Sequence, residues 1–359
     1  KAGDVAAATL TGVTSLGGAF GLASPIGSPA GGAIAGLFKG LAREFAGLHV
    51  RVLDTSATLP AADVAAAAVA EMQDGSGPVE TALVDGRRMA VVPCEVPPQA
   101  VAPLAALAKG SAWIVTGGAR GVTAECCREL GGRYGLRLAL VGSTAPVAVE
   151  PAWLALDDAG LRELKGRVML EAKGRGEDPR GAWKRIEKSI EIERSLAKFR
   201  AARVDAKYYA CNLADAAAVR ATVVRIAADL GPVRGIVHGA GFEAACRFEK
   251  KTLDGLEATL GPKCVGLENL LAAVDPATLE AVVGFGSTSG RLGGHGQADY
   301  SLANDMLAKI VGGLRQRRPT LRGTVFHWHA WDEVGMASRP ESRFVLEQFG
   351  LKFMPLAEG

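Results

Sequence analysis

Apolar and polar positions along the chain recur with a period of either two or about 3.6, and the switches between these periods divide it into strands and helices. Within 31–47, Ile34, Leu37, Phe38, Leu41 and Phe45 fall at helical spacing, and HVRVLD (49–54) then alternates as a half-buried strand does. An Ala-rich helix over 61–73 and a strand over 79–84 follow, and Asp85-Gly86 is a strong hairpin dipeptide before RRMAVVP. Residues 1–30, rich in Ala, Gly, Ser and Pro, predict no firm element. Gly17-Gly18 and Gly31-Gly32 lack the preceding strand and following helix that a phosphate-cradling turn needs, so no nucleotide site is expected in this first α/β layer. Four prolines in 93–110 mark a connector.

Beyond it, SAWIVT (111–116) reads as a buried strand and runs directly into Gly117-Gly118-Ala119-Arg120-Gly121-Val122-Thr123-Ala124. A glycine-rich turn between strand and helix lets the main chain approach a pyrophosphate, and the helix N-terminus adds free N–H groups and positive dipole. LRLALVGST (136–144) is the next strand. Residues 150–200 are charge-rich and helical, with Trp183, Ile186, Ile190 and Leu196 partly on one face, which predicts a solvated helical insertion. VDAKYYACNL (204–213) is a strand, and Val219, Val223, Ile226, Ala227 and Leu230 set a helix stopped by Gly231-Pro232. RGIVHGAG (234–241) is a strand ending in a turn of small residues. Strands alternating with helices predict an α/β fold: a doubly wound, mostly parallel sheet with helices on both faces, after a smaller α/β subdomain.

At 359 residues there is room for about two domains. With 48% hydrophobic and 22% charged residues, the chain has the make-up of a globular protein with a large core. A net charge of +3 argues against nucleic acid or an anionic membrane as partner. None of the six cysteines forms a C-x-x-C pair or a Cys/His cluster with zinc spacing, so no metal site is expected and the thiols read as free in a reducing cytosol. No apolar run approaches the ~18–20 residues that span a bilayer, and no signal segment is evident. A cytoplasmic location follows, and a start at Lys1 rather than Met suggests a piece of something longer.

The chemistry centres on 281–309, AVVGFGSTSGRLGGHGQADYSLANDMLAK, where an apolar run ends at Ser287 and Tyr300 follows thirteen positions later. If Tyr300 starts a helix, Asn304 shares its face one turn on. A strand-end hydroxyl, a phenol and an amide converging on one point suit proton delivery to a carbonyl oxygen. The phenol's ordinary pKa of roughly 10 calls for a nearby cation. His238, His295 and His329 lie beside these segments without a Ser–His or metal spacing and are expected to be structural. Asp299 reads as surface or helix-start chemistry, and Cys126-Cys127 as core.

The spacing of Ser287 and Tyr300 resembles the active site of short-chain dehydrogenases/reductases, and specifically the ketoreductase domains of modular and iterative polyketide synthases. Members of that superfamily usually carry Lys four residues after Tyr. The polyketide branch carries Asn there and takes its Lys from an upstream helix, which Asn304 and Lys263, in GPKCVGLENL, match. The resemblance implies a Rossmann-like fold and an NADPH site. Its turn would use Thr116, Gly117, Gly118, Ala119, Arg120, Gly121 and Val122, with Arg120 and Thr123 standing where many relatives have glycine. Arg120, directly before Gly121, takes the place of a basic residue that contacts the 2′-phosphate, so NADPH is expected over NADH. Ser143 and Thr144 replace a second Arg, Asn212 (with Leu213) replaces an Asp near the adenine, and Gly239, Ala240 and Gly241 match the turn against the cofactor ribose. The Leu-Asp-Asp stereochemical marker is replaced by Phe242-Glu243-Ala244-Ala245, and Leu292 stands where the opposite type has Trp. The run 324–337 resembles a Trp-Gly-Pro-Trp segment with a downstream Gly335-Met336, His329 and Ala330 replacing Gly and Pro. Together these features look most like the ketoreductase of iterative polyunsaturated-fatty-acid and enediyne-type synthases, specifically over 111–359 and loosely over 1–107.

What the resemblance implies is a cofactor-free structural subdomain over 1–107 and a catalytic NADPH-binding subdomain over 108–359, with its insertion at about 150–200. The expected reaction reduces a β-ketoacyl thioester, held on the phosphopantetheine arm of an acyl carrier domain, to β-hydroxyacyl. Other domains of the same megasynthase would be partners. Tyr300 would donate the proton, Ser287 hold the carbonyl, Lys263 lower the phenol's pKa, and Asn304 orient Lys263 or a water. Two alternatives are a catalytically silent nucleotide-binding scaffold and, ranked lower, a stand-alone reductase of small ketones.

Overall fold

A computed structural model describes residues 8–23, 25–95, 107–335, 343, 346–348 and 350–359. Their strands form two sheets. The smaller has the order β1-β2-β3-β4, from β1 (Thr9–Thr14), β2 (His49–Asp54), β3 (Glu80–Val84) and β4 (Arg87–Ala90), with α1 (Ala30–Glu44) and α2 (Ala61–Gln73) in the crossovers. The first three strands run parallel, and β4 returns antiparallel through the expected hairpin, where Asp85 (φ 48°) and Gly86 (φ 75°) take left-handed conformations.

β1 departs from the expectation of no firm element before Gly31. It pairs with β2 from Thr9↔His49 to Thr14↔Asp54, so Gly17-Gly18 does lie between a strand and a helix. Two main-chain N–H groups flanking that turn, those of Leu16 and Phe20, are taken. The buried Asp54 carboxylate accepts Thr14 Oγ1 at 2.9 Å, Leu16 N at 2.5 Å and Phe20 N at 2.8 Å. Asp54 thus ties the segment after β1 together from within.

The larger sheet has the order β10-β9-β8-β5-β6-β7 and runs outward from its first strand in both directions, the doubly wound arrangement. In chain order its elements are β5 (Ala112–Thr116), α3 (Gly121–Tyr134), β6 (Arg137–Gly142), α4 (Asp158–Gly174), α5 (Pro179–Ala201), β7 (Asp205–Ala210), α6 (Ala216–Leu230) and β8 (Val233–His238). They continue with α7 (Leu253–Leu260), α8 (Gly266–Ala273), β9 (Ala281–Ser287), α9 (Thr288–Leu292), α10 (Ala298–Arg317) and β10 (Arg322–Trp328). This is the Rossmann-like α/β architecture, with a smaller mixed sheet ahead of it. The α4–α5 insertion is more than wet surface. Leu164, Val168, Ala172, Ala182, Trp183 and Ile190 form a small core of its own, and Arg194 ties α5 to the carbonyls of Trp153, Leu154 and Leu156.

The chain divides into two compact units: Lys1–Ala106 with His238–Leu271 and Leu279–Ala330, and Leu107–Val237 with Ala272–Thr278 and Trp331–Gly359. Inside the first, α1 lies against α10 at backbone distance because Gly32, Gly36 and Gly40 share one face. A Cβ at Gly36 would stand 2.3 Å from Ser301 O, and one at Gly40 2.7 Å from Ala298 Cα. Beside this seam runs a buried charge network. Lys39 Nζ reaches Glu80 at 2.9 Å and Asp305 at 2.7 Å, Arg291 reaches Asp305 at 3.4 Å, and Lys309 donates to Phe20 O at 2.7 Å. Burial pushes the Asp305 carboxyl up, but Lys39, Lys309 and Arg291 outweigh it and hold the group below the usual range.

Gly36→Ala should therefore lower stability by about 1–3 kcal/mol in urea unfolding, since neither backbone can yield without opening the seam. Gly166→Ala, on an exposed stretch of α4 with nothing within 4 Å, should be neutral or stabilising. Equal effects from the two substitutions would contradict this packing.

Candidate active site

Ser287 is the last residue of β9 and the N-cap of α9. Its Oγ accepts from Ser289 N at 3.2 Å and Ser289 Oγ at 3.0 Å, which leaves its own hydrogen to donate outward. Tyr300 lies in the first turn of α10, as expected. The carboxylate of Asp299 accepts Tyr300 N at 2.8 Å and pairs with Lys251 at 2.7 Å, so Asp299 is a largely buried helix-start anion. One turn on, Asn304 Nδ2 donates to Tyr300 O at 2.8 Å, while its buried Oδ1 has no hydrogen-bond partner among the described residues.

Lys263 arrives from a π-helical turn, Gly261–Val265, between α7 and α8. Such turns widen the helix by one residue and re-aim the side chains they carry. The Lys263 side chain is buried, donates from Nζ to Phe285 O at 3.0 Å, and places Nζ 5.8 Å from the centroid of the Tyr300 ring. His238 Nε2 bonds Lys263 O at 2.8 Å, so this histidine holds the turn. A Cβ on Gly241 would stand 3.0 Å from Lys263 Cε, which puts the small-residue turn after β8 beside the lysine. Ser287, Tyr300, Asn304 and Lys263 thus lie in one compact unit.

In the other unit the glycine-rich turn links β5 to α3. Gly117 (φ 69°) and Gly121 (φ 58°) take left-handed conformations, and Gly117 N donates to Val141 O at 2.8 Å. Arg120 caps α3 without a side-chain bond, and no acid occupies the first turn. Thr116 and Gly118 are buried behind the turn, with Ala119 and Val122 half-buried around it. Ser143 is exposed, and the Thr144 carbonyl accepts the Tyr208 hydroxyl at 2.9 Å. Asn212 Oδ1 accepts Ala214 N at 3.2 Å in the turn before α6, beside buried Leu213. Gly335 approaches Gly121, its Cα 3.5 Å from where a Cβ would stand; Met336 lies outside the described residues.

The sequence profile of the KR domain matches residues 111–333, from β5 to just past β10. The chain belongs to the KR, or ketoreductase, domain family. It is 32% identical over 341 residues to one subunit of the polyunsaturated fatty acid synthase of Thraustochytrium sp., covering 90% of this chain and 12% of that protein. It is 30% identical over 205 residues to the phenolphthiocerol synthesis polyketide synthase type I Pks15/1 of Mycobacterium marinum, covering 57% of this chain and 9% of that one. The chain therefore spans only a small part of these relatives. Among solved structures, an A1-type ketoreductase superposes with a TM-score of 0.72 at 22% identity, over 98% of this chain and 64% of that chain. PlmKR1, from phoslactomycin biosynthesis in Streptomyces sp. HK803, gives 0.71 at 20%, over 98% and 70%. These two likenesses show the fold.

In this KR domain the environment separates the titrations of the central pair. Burial, and then the nearby Glu243 carboxylate, push the Tyr300 phenol up to about 12, against a smaller opposing effect of Asn304. Burial brings the Lys263 ammonium down to about 8, and the same burial, with Lys263 nearby, brings His238 to about 3 and keeps it neutral. The Cys126 thiol is pushed up to about 11 by burial and Cys127 further, which makes neither a nucleophile. Phe285 O, Ser289 and Glu243 act on the candidate residues and went unnoticed in motif reasoning. A main-chain carbonyl leaves no residue signature, and Ser289 and Glu243 are ordinary polar residues until the fold places them.

Between pH 8 and the ordinary lysine value of 10.5 the unfolded chain binds more protons at this position than the folded one does. The cost of burying the cation is thus full below about pH 8 and fades as pH rises through that window. Lys263→Met should raise the thermal midpoint by a few degrees at pH 7, with a smaller gain at pH 10. A gain that grew with pH, or a loss at pH 7, would contradict a desolvated cation here.

Proposed function

We propose that this KR domain reduces a carrier-bound β-ketoacyl thioester to the β-hydroxyacyl product with NADPH, as part of an iterative synthase of the polyunsaturated-fatty-acid or enediyne type. The observation that carries the reading is a buried lysine, delivered by a π-turn, 5.8 Å from the ring of a protonated tyrosine whose i+4 position holds Asn. The match to a polyunsaturated fatty acid synthase over 90% of the chain supports the synthase type. On the same reading the layer before β5 is structural and binds no cofactor. The partners are a phosphopantetheinyl acyl carrier domain and neighbouring domains of one megasynthase, in the cytoplasm.

NADPH, when bound, supplies the hydride for the β-carbon. The chain's own residues manage the oxygen. Ser287 Oγ, already accepting two bonds from Ser289, donates its hydrogen to the β-oxygen and holds the carbonyl in line. Tyr300, held protonated by burial and Glu243, donates its proton to that oxygen as negative charge grows there. The charge of Lys263 stabilises the phenolate as it forms and lowers the effort of proton release. Asn304 fixes the Tyr300 carbonyl and offers Oδ1 to a water that can restore the proton.

NADPH absorbance followed with a β-ketoacyl thioester surrogate should fall with the native chain, and Tyr300→Phe should lose at least about 100-fold in kcat while keeping its NADPH affinity. Loss of NADPH binding in that variant would contradict the assigned role. Tight NADPH binding without turnover, even on the cognate carrier, would favour the silent-scaffold alternative.

A further inference from the structure

The α4–α5 insertion has no part in the mechanism above, yet it presents charged groups to the glycine-rich turn within the same compact unit. Glu191 of α5 places Oε2 3.7 Å from Arg120 NH1. Lys188 precedes Glu191 by three residues and so shares its face of the helix. The register of that face is fixed. Ser189 between them is fully buried, accepting Val147 N at 3.0 Å and donating to Arg185 O at 2.8 Å. Val147 belongs to the segment after β6 that carries Ser143 and Thr144. The far side is closed by Tyr208, whose hydroxyl holds the Thr144 carbonyl and lies 2.7 Å from where a Cβ on Gly142 would stand.

The Arg120–Glu191 pair and Lys188, three residues before Glu191 on the same helix face, bring charge to this turn. Among the described residues no carboxylate lies within ion-pair distance of Lys188, although Glu187 and Glu191 flank it in sequence. The Lys188 ammonium is brought down by burial first and by the Arg120 charge next, as two like charges facing one site require. The Arg120–Glu191 pair is long and half exposed, with side chains 58% and 48% accessible, so it is weak and readily exchanged. A phosphate dianion, with more charge and more acceptor oxygens, would displace such a carboxylate.

We propose that the insertion builds the second wall of the adenosine 2′-phosphate subsite, with Lys188 as a specificity-determining cation beside Arg120 and Glu191 as an internal anion that the phosphate displaces. The proposal rests on the NADPH reading above and extends it to a helix that a minimal reductase does not have. It makes the NADPH preference a property of the insertion as well as of the turn.

The test is binding, with no turnover required. NADPH and NADH are titrated by nicotinamide fluorescence, and 2′-AMP and 5′-AMP by calorimetry, on the native chain and on Lys188→Ala, Lys188→Arg and Glu191→Gln. Lys188→Ala should weaken NADPH and 2′-AMP about tenfold while changing NADH and 5′-AMP less than twofold, with a shallower salt dependence and recovery in Lys188→Arg. Glu191→Gln should tighten NADPH severalfold without affecting NADH. Equal changes for both cofactors, no change in Lys188→Ala, or weaker NADPH binding in Glu191→Gln would overturn the proposal alone. A native chain that binds NADH as well as NADPH would overturn the cofactor preference and, with it, this subsite.

Discussion

The backbone-to-backbone contact between α1 and α10 governs where Tyr300 and Asn304 stand. Gly32, Gly36 and Gly40 let the two helices approach until Cβ atoms would collide, and α10 carries Tyr300 and Asn304 along with Asp305. A helix seated that closely cannot rotate or slide without breaking the seam. Lys39 reinforces the register by reaching from α1 to Asp305, the residue after Asn304, and to Glu80 of β3. The small sheet layer thereby holds the helix that carries Tyr300 and Asn304.

On that frame the site sets two burial effects against each other. Desolvation raises the phenol and lowers the ammonium, so Tyr300 keeps its proton while Lys263 keeps a charge it can lose near neutrality. The arrangement is costly, since the buried Lys263 ammonium leans on a main-chain carbonyl, Phe285 O, rather than on a carboxylate, and a π-turn is needed to aim it. His238, neutral and fully buried, meets part of that cost by anchoring the turn. Local rules of stability are broken where the proposed chemistry needs a desolvated cation beside a phenol.

Much of this was legible in the residues. The four candidate residues could be named because Ser287, Tyr300 and Asn304 lie close in sequence and Lys263 sits in a segment with its own pattern; the hairpin at Asp85-Gly86 and strands β5 to β9 followed from periodicity, whereas β10 was not read as a strand. β1 did not, because TLTGVT has one strong apolar position on each face and a glycine whose Cβ space is filled by Phe38. Once β1 is missed, the turn after it cannot be placed between a strand and a helix, nor Asp54 seen to accept the Leu16 and Phe20 N–H groups. The core of the α4–α5 insertion was partly visible in Trp183, Ile186 and Ile190. Its reach to Arg120 was not, since a charge run looks the same whether it faces water or a binding site. The α1 seam was equally silent: glycines one helical turn apart signal close approach only when the opposing helix is known.

The dependence of the site on α1 is most directly tested by amide hydrogen exchange across α10 in Lys39→Met, read together with kcat. Removing the cation leaves Asp305 buried beside two more distant partners, Arg291 and Lys309. Protection over Ala298–Arg317 should fall, and kcat with it, while α3 and the glycine turn at 117–121 keep their protection and NADPH its affinity. Unchanged protection in α10 alongside normal turnover would show that the reacting groups hold their places without α1.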